Sequence, residues 1–396
     1  MKFSYGWIRE LVPNLNAEPV ELERLITLKT AECEGIEPVG AHFRSVVAAR
    51  VLDVKPMSKG KNQSVLIDIG NAKEVTVVCG APNVCRGMLV PWVPPGTQLG
   101  DKTIGRAVIE GIESEGMLAS AAELGINRDH SGLLELHDLA PGERLPKLHP
   151  DWIIEIDNKS LTHRPDLWGH YGMAREVAAI TGNALADPVH SVLLPHGEAA
   201  IHVEVADTSL CPRYSALVIE NVQVSPSPLS LQMRLESVDL NSINNVVDVT
   251  NYVLAELPQP THAFDADKLA GKTIFVRRAR DGERLHALDG ETYRLTKDDL
   301  VIADAAGPIA LAGVIGGAES AISDTTTRIV LESANFQASA IRATSARHKL
   351  RTDASVRFEK SLDVENTIRG LARAVELFAE VCPAARPVGG VADVRG

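Results

Sequence analysis

Three short runs rich in β-branched residues follow one another early in the chain: Ser45–Val54, Ser64–Ile69 and Glu74–Val78. Such side chains lose rotamer freedom in helices and pack well on a pleated surface. Turn formers punctuate the runs, at Gly80 to Asn83, at Pro94-Pro-Gly96 and at Gly100. Several short strands at this spacing predict a small closed sheet. An oligonucleotide-binding barrel over residues 39–150 is the leading candidate.

The flanking sequence has a different rhythm. Leu22, Leu25 and Ile26 give Glu21–Leu28 a helical apolar stripe, with Asn16-Ala-Glu-Pro19 as its entry signal. Trp152–Ile156 reads as a strand, and Gly172–Ile180 as a helix with Met173, Val177 and Ile180 on one face. Asp187–Glu198, with Pro188, Pro195 and Gly197, reads as a linker. Beyond it, strands (Tyr214–Ile219, Thr273–Val276, Asp299–Ile302, Arg328–Leu331) alternate irregularly with helices (Leu229–Val238, Val364–Val381). Without a βαβ period, the fold class expected is α+β and multidomain. A length of 396 residues suits two to four domains at about 100–200 residues each.

No apolar run approaches the roughly 18–20 residues that span a bilayer, and the N-terminus lacks a signal-peptide core. Five scattered cysteines with no Cys-x-x-Cys pair disfavour a zinc site or a disulfide framework, and a reducing cytoplasm fits best. The net charge of −12 argues against a chain that coats nucleic acid over its whole surface, because binding polyphosphate needs Lys and Arg. Local patches would have to do it. Candidates are Arg277, Arg278 and Arg280, and then Arg342, Arg347, Lys349, Arg351 and Arg357.

Asn244-Asn-Val-Val-Asp-Val-Thr-Asn-Tyr-Val253 reads as a helix end or a buried strand, yet it carries Asp248, Thr250 and Asn251. Buried amides and hydroxyls without partners cost about 1–3 kcal/mol. These groups are therefore networked or face a binding cavity. His262 follows a proline turn in Gln259-Pro-Thr-His-Ala-Phe-Asp265, where a stiff backbone can aim an imidazole. Gly313-Val-Ile-Gly-Gly317 lacks phosphate-loop spacing and reads as a close-approach turn. Ser114 is not in a nucleophile elbow and reads as structural. Lys55–Lys61 reads as a basic β-turn. Glu332, after the apolar run Arg328–Leu331, reads as a carboxylate at a strand end. His163 and His170 are not spaced for a metal, and none is expected.

These strings resemble the beta chain of bacterial phenylalanyl-tRNA synthetase. The match continues through Ile309–Gly317, Val330–Asn335 and Arg351–Lys360. It also takes in Met1–Val12, Val78–Val84, Glu113–Leu118 and His163–Glu176. The resemblance covers nearly the whole chain in family order. It implies an inserted tRNA-binding barrel (39–150), a discontinuous α/β domain around it (1–38 and 151–186), and an editing module of two interleaved α/β subdomains (200–396).

By resemblance, His262 orients a water while Thr250 and Asn251 hold the ribose, the amino group or that water. Glu332 and Gly316 read a tyrosine phenol, Thr352 and Ala354 set the pocket volume, and Asn241 stands where many members carry an arginine. The implied activity is hydrolysis of tyrosyl-tRNA(Phe). Phenylalanine activation, with ATP and magnesium, would need the alpha subunit of a heterotetramer of two alpha and two beta chains. The portion itself needs no cofactor and no membrane. The family pattern also implies further domains past Gly396, so a fragment is expected. Two other readings stand beside it: a non-catalytic tRNA-binding or assembly module with a vestigial pocket, or a free-standing trans-editing hydrolase.

Overall fold

The computed structural model describes every residue except 59, 138 and 191–193. The chain opens with β1 (Lys2–Ser4), α1 (Tyr5–Leu11), α2 (Pro19–Lys29) and β2 (Cys33–Pro38). Ser4 caps α1 by accepting a hydrogen bond from Trp7 N, and Pro19 starts α2 where its missing N–H costs nothing. The chain then leaves this unit for β3 (Val47–Pro56), β4 (Gln63–Asp68), β5 (Glu74–Cys79), β6 (Leu89–Val93), β7 (Gln98–Leu99), β8 (Lys102–Thr103), β9 (Arg106–Ile109), β10 (Ile112–Glu115) and β11 (Met117–Leu118). Five of these form an antiparallel sheet, β11-β6-β3-β4-β5. β5 also packs on β10 and β11, so the sheet curls into a half-barrel. The Ser114 hydroxyl has a structural task here: it accepts from Val78 N and pins β10 to β5. Lys55–Lys61 joins β3 to β4, with residue 59 outside the described residues.

The chain returns with β12 (Trp152–Ile156), which pairs between β1 and β2, and α3 (His170–Thr181). Of the expected linker 187–198, residues 191–193 lie outside the described residues. Asp187 holds Arg369.

The last region comprises β13 (His202–Val205), β14 (Arg213–Glu220), α4 (Leu229–Ser237), α5 (Asn245–Glu256), β15 (Thr261–Asp265), β16 (Thr273–Arg278), β17 (Arg284–His286), β18 (Thr292–Arg294), β19 (Leu300–Ala303), β20 (Pro308–Leu311), β21 (Ile315–Gly316), β22 (Arg328–Asn335), α6 (Ala338–His348), α7 (Asp353–Phe358), α8 (Asn366–Val381) and β23 (Arg386–Arg395). Two sheets result, β15-β22-β14-β23 and β13-β16-β19-β20-β21.

The four-stranded sheet is covered on both faces, and alternation along its strands sorts the side chains. Leu217, Ile219, Ala263, Ile329 and Leu331 join a core with α5 and α8. Tyr214, Ala216, Val218, Phe264 and Val330 join a core with the five-stranded sheet. The first core also contains Phe3, Trp7, Ile154 and Met173, so the N-terminal α/β unit and the helical face share one interior. The molecule is thus a mixed α/β, multidomain protein. No helix among the described residues is long and apolar enough to cross a membrane.

Candidate functional site

β15 and β22 are antiparallel neighbours with His262 directly opposite Glu332. Both side chains project toward the second sheet, on the side of Phe264 and Val330. The His262 ring meets Phe264 edge-on at 4.5 Å. There the two sheets part and leave a cavity of about 80 Å³. Pro260, Thr261, His262, Ile302, Ala310, Leu311, Gly313 to Gly316, Glu332, Ala354 and Phe358 line it.

Glu332 is not at a strand end. It lies inside β22, 6% exposed, between β14 and β15. Burial raises its carboxyl to about 8, and burial likewise lowers the His262 imidazole to about 4. At neutral pH both groups are therefore mainly uncharged. The Nε2 atom of His262 is buried and has no hydrogen-bond partner among the described residues. Such a pair offers hydrogen-bonding capacity, not charge, to whatever enters.

Gly316 is a steric requirement. A Cβ there would stand 2.7 Å from His262 Cε1, 2.8 Å from Nε2 and 3.0 Å from Leu288 Cδ1. The space beside the imidazole nitrogen stays open because residue 316 has no side chain. Leu288 sits at the tip of the β17–β18 hairpin, 51% exposed. Its amide donates to Gly316 O at 3.0 Å. Ala354, in the first turn of α7, contributes a small side chain to the wall. Thr352 is the N-cap of that helix in a capping box with Ser355. Its hydroxyl donates to Val314 O at 2.8 Å and ties α7 to the wall from behind.

The other sequence candidates are elsewhere. Asn244–Val253 is helical, with the Asn244 side chain capping α5 through Val246 N and Val247 N. Asp248 accepts from Ser227 Oγ, Ser242 Oγ and Ile243 N at 2.6, 2.6 and 2.8 Å. Thr250 donates to Val247 O. Asn251 donates to the carbonyl of the exposed Asn241 at 3.4 Å. None of Thr250, Asn251 and Asn241 lines the cavity. The structure gathers His262, Gly316, Glu332 and Ala354, with Thr352 behind them, and leaves these three apart.

The expected basic patches also change. Arg277 is paired bidentately with Glu283. Arg347 pairs with buried Asp299, Arg351 with Glu359, and Arg357 is itself buried against Trp168 O. The 342–357 run is mostly structural. Two residues that no motif marked stand beside the cavity: Leu288 over Gly316, and Tyr214, whose enclosed hydroxyl has no partner among the described residues. Both positions follow from tertiary contact alone. Among the described residues, no group of three or more His, Cys, Asp or Glu side chains is placed to hold a metal ion.

Comparison with known proteins adds to this geometry. A putative tRNA binding domain matches residues 46–144, and a B3/4 domain matches residues 210–383. The beta subunit of phenylalanine–tRNA ligase from Solibacter usitatus is 60% identical over 396 residues, covering 100% of this chain and 50% of that protein. Its counterpart from Anaeromyxobacter dehalogenans is 43% identical, covering 96% of this chain and 48% of its own length. The chain spans about half the length of these curated relatives. An N-terminal fragment of the phenylalanyl-tRNA synthetase beta subunit from Pyrococcus horikoshii aligns over 50% of this chain and 62% of its own. It does so at 14% identity with a TM-score of 0.28, too low to bear on the fold.

Proposed function

Because this chain belongs to the phenylalanine–tRNA ligase beta-subunit family, we propose that it is a portion of such a subunit and that its cavity hydrolyses tyrosyl-tRNA(Phe). The observation that carries this reading is the Glu332–His262 pair, buried, uncharged and facing one cavity. An apolar synthetic pocket rejects a ligand with one added hydroxyl only weakly, by roughly a hundredfold. A second site with a buried polar reader can demand that hydroxyl, because phenylalanine would leave the reader unpaired. Glu332 is that reader, and the tyrosine phenol its partner.

In the hydrolysis, water adds to the ester carbonyl and the tRNA ribose oxygen leaves, giving tyrosine and free tRNA. The ester is already activated, so positioning supplies much of the acceleration. An imidazole held down to about 4 is a weak base. It suits orienting the water through a hydrogen bond more than abstracting its proton. Substrate atoms would occupy the space that Gly316 leaves beside Nε2. Thr250, Asn251 and Asn241 enter only as groups outside the cavity.

In this reading residues 39–150 are an oligonucleotide-binding barrel for tRNA(Phe), 1–38 with 151–186 the domain it interrupts, and 200–396 the editing module. No cofactor is needed for the hydrolysis. Activation of phenylalanine, with ATP and magnesium, belongs to the complete cytoplasmic enzyme with its alpha subunit. The test is deacylation of tyrosyl- and phenylalanyl-tRNA by the purified chain and by His262→Ala and Glu332→Ala. Selective loss of the tyrosyl ester, abolished by the first variant and made unselective by the second, is expected. Binding of tRNA without hydrolysis would instead favour a non-catalytic positioning module.

A further inference from the structure

Tyr214 stands on β14 two residues before Ala216, which faces Glu332 in the sheet register. It therefore shares a face with Glu332 and is its diagonal neighbour. The ring is fully enclosed in the core between the sheets. Its hydroxyl is buried and has no hydrogen-bond partner among the described residues. Phenylalanine would fill the same core without stranding a donor, so the hydroxyl calls for an explanation outside packing. The Glu332 charge reaches it: with burial, that charge pushes the phenol well above its usual range. The Cys211 thiol, just before β14, is raised by burial and by the same carboxyl. His262 faces Glu332 from β15.

We infer that Tyr214 is a positioning residue for Glu332: its hydroxyl is the donor that settles one carboxyl oxygen while the other reads the substrate. This rests on the editing reading of the cavity. The phenol donates and the carboxyl oxygen accepts, and no bond is made or broken. Donation favours the ionised carboxyl, so removing the hydroxyl makes Glu332 harder to ionise.

The test uses the whole chain labelled with ¹³C-glutamate, with Glu332→Gln identifying the carboxyl resonance. In Tyr214→Phe, Glu332 is expected to titrate roughly one unit higher, with melting temperature equal to or above that of the parent. Tyrosyl-tRNA hydrolysis should show a raised KM and a smaller effect on kcat. An unchanged Glu332 titration would overturn the inference. So would an equal shift in Cys211→Ala, which disturbs packing and leaves the donor. If the titration moves but neither chain hydrolyses tyrosyl-tRNA, the tyrosine's role stands and the editing reading falls.

Discussion

Two buried carboxyl groups of this molecule live under opposite regimes. Asp248, in the first turn of α5, is fully enclosed and accepts three hydrogen bonds. Glu332, inside β22, is almost as enclosed, but burial dominates its chemistry and holds the proton on. The first carboxylate organises the loops before α5. The second retains hydrogen-bonding capacity and faces a cavity with an equally unspent imidazole. Saturation marks a structural polar group and incompleteness marks a working one.

The sharpest way to break this contrast is to remove each group and measure stability in urea. Asp248→Ala strands two hydroxyls and an amide, and should cost about 3 kcal/mol. Glu332→Gln should cost nothing at pH 8. A comparable loss in both would erase the distinction.

A second effect concerns pH. Native Glu332 at about 8 lies above its unfolded value of 4.5, so between these values the native state holds the extra proton. Its contribution is present at low pH and is lost as pH rises toward 8. Native His262 at about 4 lies below its unfolded 6.5, so its contribution rises with pH between 4 and 6.5. The two oppose each other up to about 6.5, and above that Glu332 acts alone. Stability should then fall by at most about 1.4 kcal/mol per pH unit up to 8. Denaturant titrations of Glu332→Gln should be flatter over that window, and an identical slope would refute the assignment.

The smallest expected effect sharpens the same comparison from the wall. Thr352→Ala removes the α7 cap and the bond to Val314 O, for about 1 kcal/mol. Because Ala354 rides on that helix, KM for tyrosyl-tRNA should rise more than kcat falls. Chemical denaturation and steady-state deacylation would read the two parts separately.

The contrast also explains what the sequence could and could not disclose. Asp248, Thr250 and Asn251 announced themselves as polar residues in an apolar run, but composition does not say whether a partner waits. For Asp248 the partners are Ser227 and Ser242, distant enough in sequence that only the fold joins them to it. The hydrophobic run Arg328–Leu331 stops before Glu332, which suggested a strand end. β22 continues through Ser333, Ala334 and Asn335 because β14 and β15 flank it on both sides. The strands and helices flanking the site were legible, since Trp152–Ile156, Tyr214–Ile219 and Gly172–Ile180 keep clean periods. The basic run 342–357 misled, because pairing with Asp299 and Glu359 is a tertiary fact. Leu288 carried no motif at all.

The shared interior has a consequence for how such a protein can be rearranged. One core of the half-barrel lies wholly within residues 49–133. By contrast, Phe3 and Trp7 are sealed against α5 and α8, and the Trp7 indole donates to Glu256 at the end of α5. A graft could exchange the barrel insertion and keep the rest intact. Cutting before residue 200 would instead leave an apolar floor bare beneath the strands that hold His262 and Glu332. The first dozen residues are thus part of the cavity's foundation, although none of them touches it.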